Sequence, residues 1–228
     1  MKNFAIALGT TLAFALPAQS ATVVAFDIPE NRTSIAASET ANGVTGENLR
    51  RASGLKRTGV GTFRAYNWTI GGDADKARRL NNAFTWGFNS TVAYDLTSLD
   101  IHYDGSNKGP KSVVLDVFVN GTAYLDVYTD LSVDTRGETH LGIDLSALKN
   151  ATSVLFRLSG WGATKKKGTL ELENIDDGPG IVVHGEVAAP LAIASSDQPV
   201  SIASVPLPAG LPLLLGGLGV FAVIRRRS

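Results

Sequence analysis

The densest run of acid groups is Glu171-Leu172-Glu173-Asn174-Ile175-Asp176. On an extended strand, residues i and i+2 share one face. Glu171 and Glu173 therefore form a carboxyl pair, and a retaining glycosidase needs two carboxyls roughly 5 Å apart. Asp176 falls on the opposite face. The plainer reading is a solvated strand face backed by Leu170 and Leu172. Two shorter acidic runs, Asp73-Ala74-Asp75 and Asp176-Asp177-Gly178, are the candidates for a structural calcium, which takes clustered carboxylates and carbonyls. Turn chemistry explains Asp73, Asp75, Asp176 and Asp177 at least as well. The three histidines, His102, His140 and His184, each sit alone in strand-like alternation, with no second ligand at metal spacing. No Gly-x-Ser-x-Gly elbow occurs. Trp68 and Trp161 adjoin loops and are the candidates for stacking on a sugar ring. Trp86 shares a face with Phe84 and Phe88, which marks it as core. Lys165-Lys166-Lys167 reads as a solvated loop tip suited to an anionic polysaccharide.

Composition narrows the classes. The 228 residues are 44% hydrophobic, and 21 basic residues balance 21 acidic ones. That is too apolar for a disordered chain, and it lacks the basic excess of a nucleic-acid binder. The absence of cysteine excludes disulfides, thiolate metal sites and a cysteine nucleophile. No cofactor is implied beyond the one candidate calcium.

The elements that must position these residues are strands. Val23 to Phe26 opens the first. Phe84, Trp86 and Phe88 share one face of a second, and Leu99, Ile101 and Tyr103 one face of a third. Val113, Leu115, Val117 and Val119 line a fourth. Asn120-Gly121 follows, both tolerant of the positive φ of a type I′ hairpin turn, with a return strand over 122–128. Further strands are expected at 139–143, 153–159, 168–172 and 181–187. Only 73–80 looks helical. Many short alternating strands predict an all-β fold, an antiparallel β-sandwich.

The two ends read as addresses. Lys2, an uncharged run over 4–16, Pro17 and Ala18-Gln19-Ser20 predict a signal peptide over 1–20, cut by signal peptidase between Ser20 and Ala21. The β-sandwich domain is placed at 21–187 and an Ala/Ser/Pro-rich flexible linker at 188–204. Beyond it come Val205-Pro206-Leu207-Pro208-Ala209, an uncharged stretch to Ile224, and Arg225-Arg226-Arg227. As a helix, 211–224 covers about 20 Å against a hydrocarbon core of about 30 Å, so it spans only a locally thinned bilayer or with the Pro-rich part inserted. The arginines stop transfer and stay cytoplasmic. Residues 21–204 hold all the acidic residues and all but four of the basic ones, Lys2 and the three arginines lying outside; their net charge is −4.

That tripartite tail resembles the PEP-CTERM class of sorting signals, in the variant named for Val-Pro-Leu-Pro-Ala. The resemblance implies a Gram-negative bacterium and a precursor held transiently in the inner membrane. It also implies cleavage at or near 205–209 by a transpeptidase of the exosortase type, then release to the cell surface or an exopolysaccharide matrix. The middle of the chain resembles jelly-roll domains of the galactose-binding or concanavalin type that precede such signals. The matches are Asn67-Trp68, Phe84-Thr85-Trp86-Gly87-Phe88, Phe156-Arg157-Leu158, Gly160-Trp161-Gly162-Ala163 and Gly168-Thr169-Leu170. Glu173-Asn174 departs from the Asp-Asn usual there. The expected function is a non-catalytic, exported surface or matrix protein. The alternatives are a carbohydrate-binding module that retains exopolysaccharide and a glycosidase of sandwich fold.

Overall fold

The computed structural model describes residues 20–30, 32–58 and 63–189. Most of the expected signal peptide (1–19) and the chain from 190 onward, with the expected linker and sorting signal, lie outside the described residues. Among the described residues no helix is long and apolar enough to cross a membrane.

The fold is all-β, with every strand pairing antiparallel. In chain order the strands are β1 (Ala21–Phe26), β2 (Ser34–Ile35), β3 (Glu39–Thr40), β4 (Val44–Arg51), β5 (Lys56–Arg57) and β6 (Phe63–Tyr66). A one-and-a-half-turn helix, α1 (Ala74–Arg79), follows. Then come β7 (Ala83–Gly105), β8 (Ser112–Val119), β9 (Thr122–Asp130), β10 (Glu138–Asp144), β11 (Ala151–Trp161), β12 (Leu170–Leu172) and β13 (Ile181–Val187).

The 23-residue strand β7 organises the molecule. Its first part pairs with β4 on one side and β11 on the other; β8 and then β9 continue from β11. Its second part pairs with β13, β12 and β10, and β1 and β3 continue from β13. The stretches expected as a second and a third strand are thus one. Between them Asn89-Ser90-Thr91 contains no Gly or Pro, so nothing breaks the extended backbone as it passes from one set of strands to the other. The short strands between 34 and 66 were not anticipated. They are mostly two to four residues long, too short for a period to stand out in the sequence.

The two sets meet through large side chains. Phe63 of β6 lies 5.5 Å from Phe84 of β7, ring centre to ring centre. Within the first set, Trp86 stacks on its register partner Phe156 at 5.4 Å and 9°, and both are fully buried. Along the second part of β7, Leu99, Ile101, Tyr103 and Gly105 are buried while Asp100, His102 and Asp104 are half-buried. This is the period-two signature of a strand with one face on the core.

The hairpin forms where the sequence puts it. Val119 pairs with Thr122, and Asn120 and Gly121 take φ of 50° and 84°. The return strand runs two residues beyond the expected 128 and carries an irregularity opposite Leu115 and Val117, where Asp126 has φ 55°.

Candidate functional site

Strand β12 is only three residues long, but it lies between two others. Glu171 pairs with Arg64 of β6 on one side and Asp104 of β7 on the other. Arg64, Glu171 and Asp104 therefore stand in one row across three strands, on one face. The opposite face carries Leu170, Leu172, Phe63, Ala65 and Tyr103, all fully buried. Glu173 follows two residues after Glu171, and its N–H donates to the carbonyl of His102 at 3.4 Å. The His102 Nε2 comes within 3.9 Å of Glu173 Oε2. Carboxylate oxygens of Asp104, Glu171 and Glu173 lie within 4.8 Å of one another.

The electrostatics separate the three acids. Arg64 donates from Nε and Nη2 to the two oxygens of Glu171, which is 4% exposed. That fork fixes Glu171 as the ionised member and raises Arg64 above its ordinary range. Asp104 is pushed up to about 6, first by burial and then by the charges of Glu171 and Glu173. Glu173 is raised as well, by burial and by Glu171. The Oδ1 of Asp104 is shielded from solvent with no hydrogen-bond partner. One guanidinium for three carboxyls leaves the row short of positive charge. An ionised acid beside a proton-holding one is the pairing that acid–base chemistry uses.

This has a measurable consequence. A carboxyl raised from 3.8 to about 6 in the fold stabilises the protein below the lower value. That contribution is lost as pH rises through about 6. Asp104→Asn should therefore raise the melting temperature relative to wild type at pH 7.5 and leave it nearly unchanged at pH 4. Thermal denaturation at the two pH values checks this, and a variant less stable than wild type at pH 7.5 contradicts it.

The other sequence-derived candidates fall elsewhere. Trp68 is core and not a sugar platform: it is 2% exposed and packs edge-on to Phe84 at 5.3 Å. Its indole N–H donates to the carbonyl of Ala65. Its ring faces are taken by protein, which corrects the expectation of a glycan contact there. Trp161 is half-buried at the end of β11, opposite Ser112. Asp73 caps α1, accepting from the Lys76 N–H at 2.8 Å, and Asp75 pairs with Arg78 at 2.8 Å. Asp176 and Asp177 form the tip of a turn closed by the Gly178 N–H on the Ile175 carbonyl, with Asp176 at φ 48°. Helix capping, an ion pair and turn formation account for the four, and none joins a three-ligand group among the described residues. Lys165, Lys166 and Lys167 are exposed in a turn, as expected. Next to them runs an open groove of about 290 Å³ lined by Asn67, Thr69, Ile70, Lys76 and Lys166 over the buried edge of Trp68.

No protein-family model, no curated protein and no solved structure matches this chain.

Sequence reasoning found Glu171 and Glu173 but missed Asp104, Arg64 and His102. Asp104 and His102 carried a usable signal, since both stand on the polar face of the alternating run through Leu99, Ile101 and Tyr103. Arg64 carried none, because β6 joins the site only through its pairing with β12.

Proposed function

We propose that this protein is an exported surface or extracellular-matrix protein without catalytic activity. In this reading a jelly-roll-like domain is delivered through a C-terminal signal cut by an exosortase-type transpeptidase. The order of Val205-Pro206-Leu207-Pro208-Ala209, an uncharged stretch and Arg225-Arg226-Arg227 carries it. The fold is compatible with that order. The last strand among the described residues, β13, sits between β1 and β7, and it ends just before the Ala/Ser/Pro-rich segment begins. Glu171 supports the non-catalytic reading, because both of its oxygens are engaged by Arg64.

The test is expression of the full chain in cells with and without an exosortase, followed by fractionation and mass spectrometry of the C-terminus. With the enzyme, the mature chain should end within or next to 205–209. Deleting 205–209 should leave an uncut, membrane-bound species. A mature protein still ending at Ser228 in exosortase-containing cells refutes the proposal.

One observation favours a second reading, a module that retains acidic polysaccharide. The groove beside Lys166 is rimmed by Lys76 and the exposed turn at Lys165 and Lys167. Attraction of this kind is screened by salt. Binding to an anionic polysaccharide column should weaken with salt and on replacing the three turn lysines with serine. Equal retention on neutral and anionic matrices argues against it.

A further inference from the structure

Strands β9 and β10 are consecutive, but they do not pair with each other. β9 pairs with β8, and β10 pairs with β7. They end the two sets of strands on the same side of the molecule. Across that edge Asp130 of β9 meets Glu138 and His140 of β10. One ligand atom from each lies within 4.8 Å of the other two.

The hydrogen bonds around this trio run in one direction. The Tyr103 hydroxyl donates to Asp130 Oδ2 at 2.8 Å. Its oxygen is then left to accept, and the Tyr128 hydroxyl lies 3.3 Å away. The Tyr128 oxygen in turn lies 2.9 Å from His140 Nδ1. This order places the imidazole proton on Nδ1 and the lone pair on Nε2, a tautomer assigned from the network. The His140 ring is held in place by Tyr103, stacked on it at 4.8 Å and 24°. The Nε2 is shielded from solvent and has no hydrogen-bond partner. It faces Glu138 Oε2 at 3.5 Å. The other oxygen of Glu138 is held by the Asp134 N–H, and Asp130 Oδ1 accepts from the Ser132 N–H at 2.7 Å.

A lone pair and a carboxylate oxygen thus face each other with nothing between them, in a pocket that otherwise satisfies its polar atoms. Two acceptors in that position call for a proton or a metal ion between them. Ligands held about 2.0–2.1 Å from a tetrahedral metal lie about 3.3–3.4 Å apart, close to the separation of Nε2 and Oε2. The second nitrogen of a metal-bound histidine is ordinarily engaged by an oriented partner, the role that Tyr128 fills here. We propose that Asp130, Glu138 and His140 form a binding site for a borderline divalent transition metal such as Zn²⁺, which joins the β9 and β10 edges. The imidazole ligand sets it apart from a calcium site, which takes six to eight oxygens. All three residues remain part-exposed, which leaves a way in from solvent. This corrects the reading of His140 as lacking a second ligand: Glu138, its i, i+2 neighbour on one strand face, supplies one, and the third member lies beyond a loop.

The experiment is calorimetric titration of Zn²⁺ into the full chain, purified in detergent and stripped with a chelator. One ion per chain should bind with micromolar affinity or tighter, and Ca²⁺ should not displace it. His140→Gln and Glu138→Gln should each weaken binding by at least about tenfold. Far-UV circular dichroism checks that each variant is folded. Tyr128→Phe keeps all three ligands and should still weaken binding about tenfold. His184→Gln, whose ring is paired with Asp100 at 2.9 Å, should bind as wild type does. Co²⁺-loaded protein should show the intense visible bands of a four-coordinate ion, lost in His140→Gln. Absence of stoichiometric Zn²⁺ binding by wild type overturns the proposal, as does binding unchanged in both Glu138→Gln and Tyr128→Phe.

Discussion

Replacing Arg78 with methionine is expected to lower the free energy of unfolding by about 3–5 kcal/mol. Arg78 sits in the last turn of α1 and reaches down onto β8. Its Nε and Nη2 donate to the two oxygens of Asp116 at 2.8 and 2.7 Å, and Nη2 also meets Asp126 at 2.7 Å. Asp116 is 1% exposed. Burying a carboxylate is tolerable only while it is compensated, and the single substitution removes the fork and leaves Asp116 with only the Asp126 N–H and the charge of its register partner Arg157. Replacing both members, as in Arg78→Met with Asp116→Val, should recover most of the loss, because an apolar pair of similar volume is often neutral or better. Denaturant unfolding of the two variants separates the cases. A single variant within 1 kcal/mol of wild type would mean that Asp116 reaches water once the guanidinium is gone.

Phe156→Ala is expected to cost about 3–5 kcal/mol, the range for removing a buried aromatic ring. Phe156 is fully buried on β11, between its register partners Trp86 and Val117. The ring parallel to it, Trp86, is itself held by the strand and cannot collapse into the space. The indole N–H of Trp86 is already buried without a hydrogen-bond partner, so the region has no polar contact to fall back on. Domains of this size are stable by about 5–15 kcal/mol in total. Either variant therefore removes a large share of the stability, and the two sites adjoin through Arg157, which follows Phe156, pairs in register with Asp116 and donates to the Arg78 carbonyl, so their effects should couple. A shift in unfolding midpoint for Phe156→Ala no larger than that of an exposed-site control such as Leu125→Ala would contradict the packing described here. Leu125 is 55% exposed.

Local patterning carried most of the strand assignments. Alternation at Val113, Leu115, Val117 and Val119, with Asn120-Gly121 behind it, is enough to specify a hairpin, because side-chain period and turn conformation are properties of neighbouring residues. The boundaries of β13 were legible for the same reason. The carboxyl pair at Glu171 and Glu173 needed nothing more than the pleat of a strand. The proposed sorting tail rests on residue order alone.

What tertiary structure decided concerns residues far apart in the chain. Asp116 looks like the solvent face of an alternating strand, and it is buried because α1 packs over it. Trp68 looks like a loop aromatic, and it is core because Phe84 and Ala65 close around it. Arg64 and Asp104 become neighbours of Glu171 only when β12 inserts between β6 and β7, and Asp130 meets His140 only where two unpaired edges converge. Periodicity reports which face a residue takes on its own strand. It does not report which other strand covers that face, since the strand pairings that decide it are non-local.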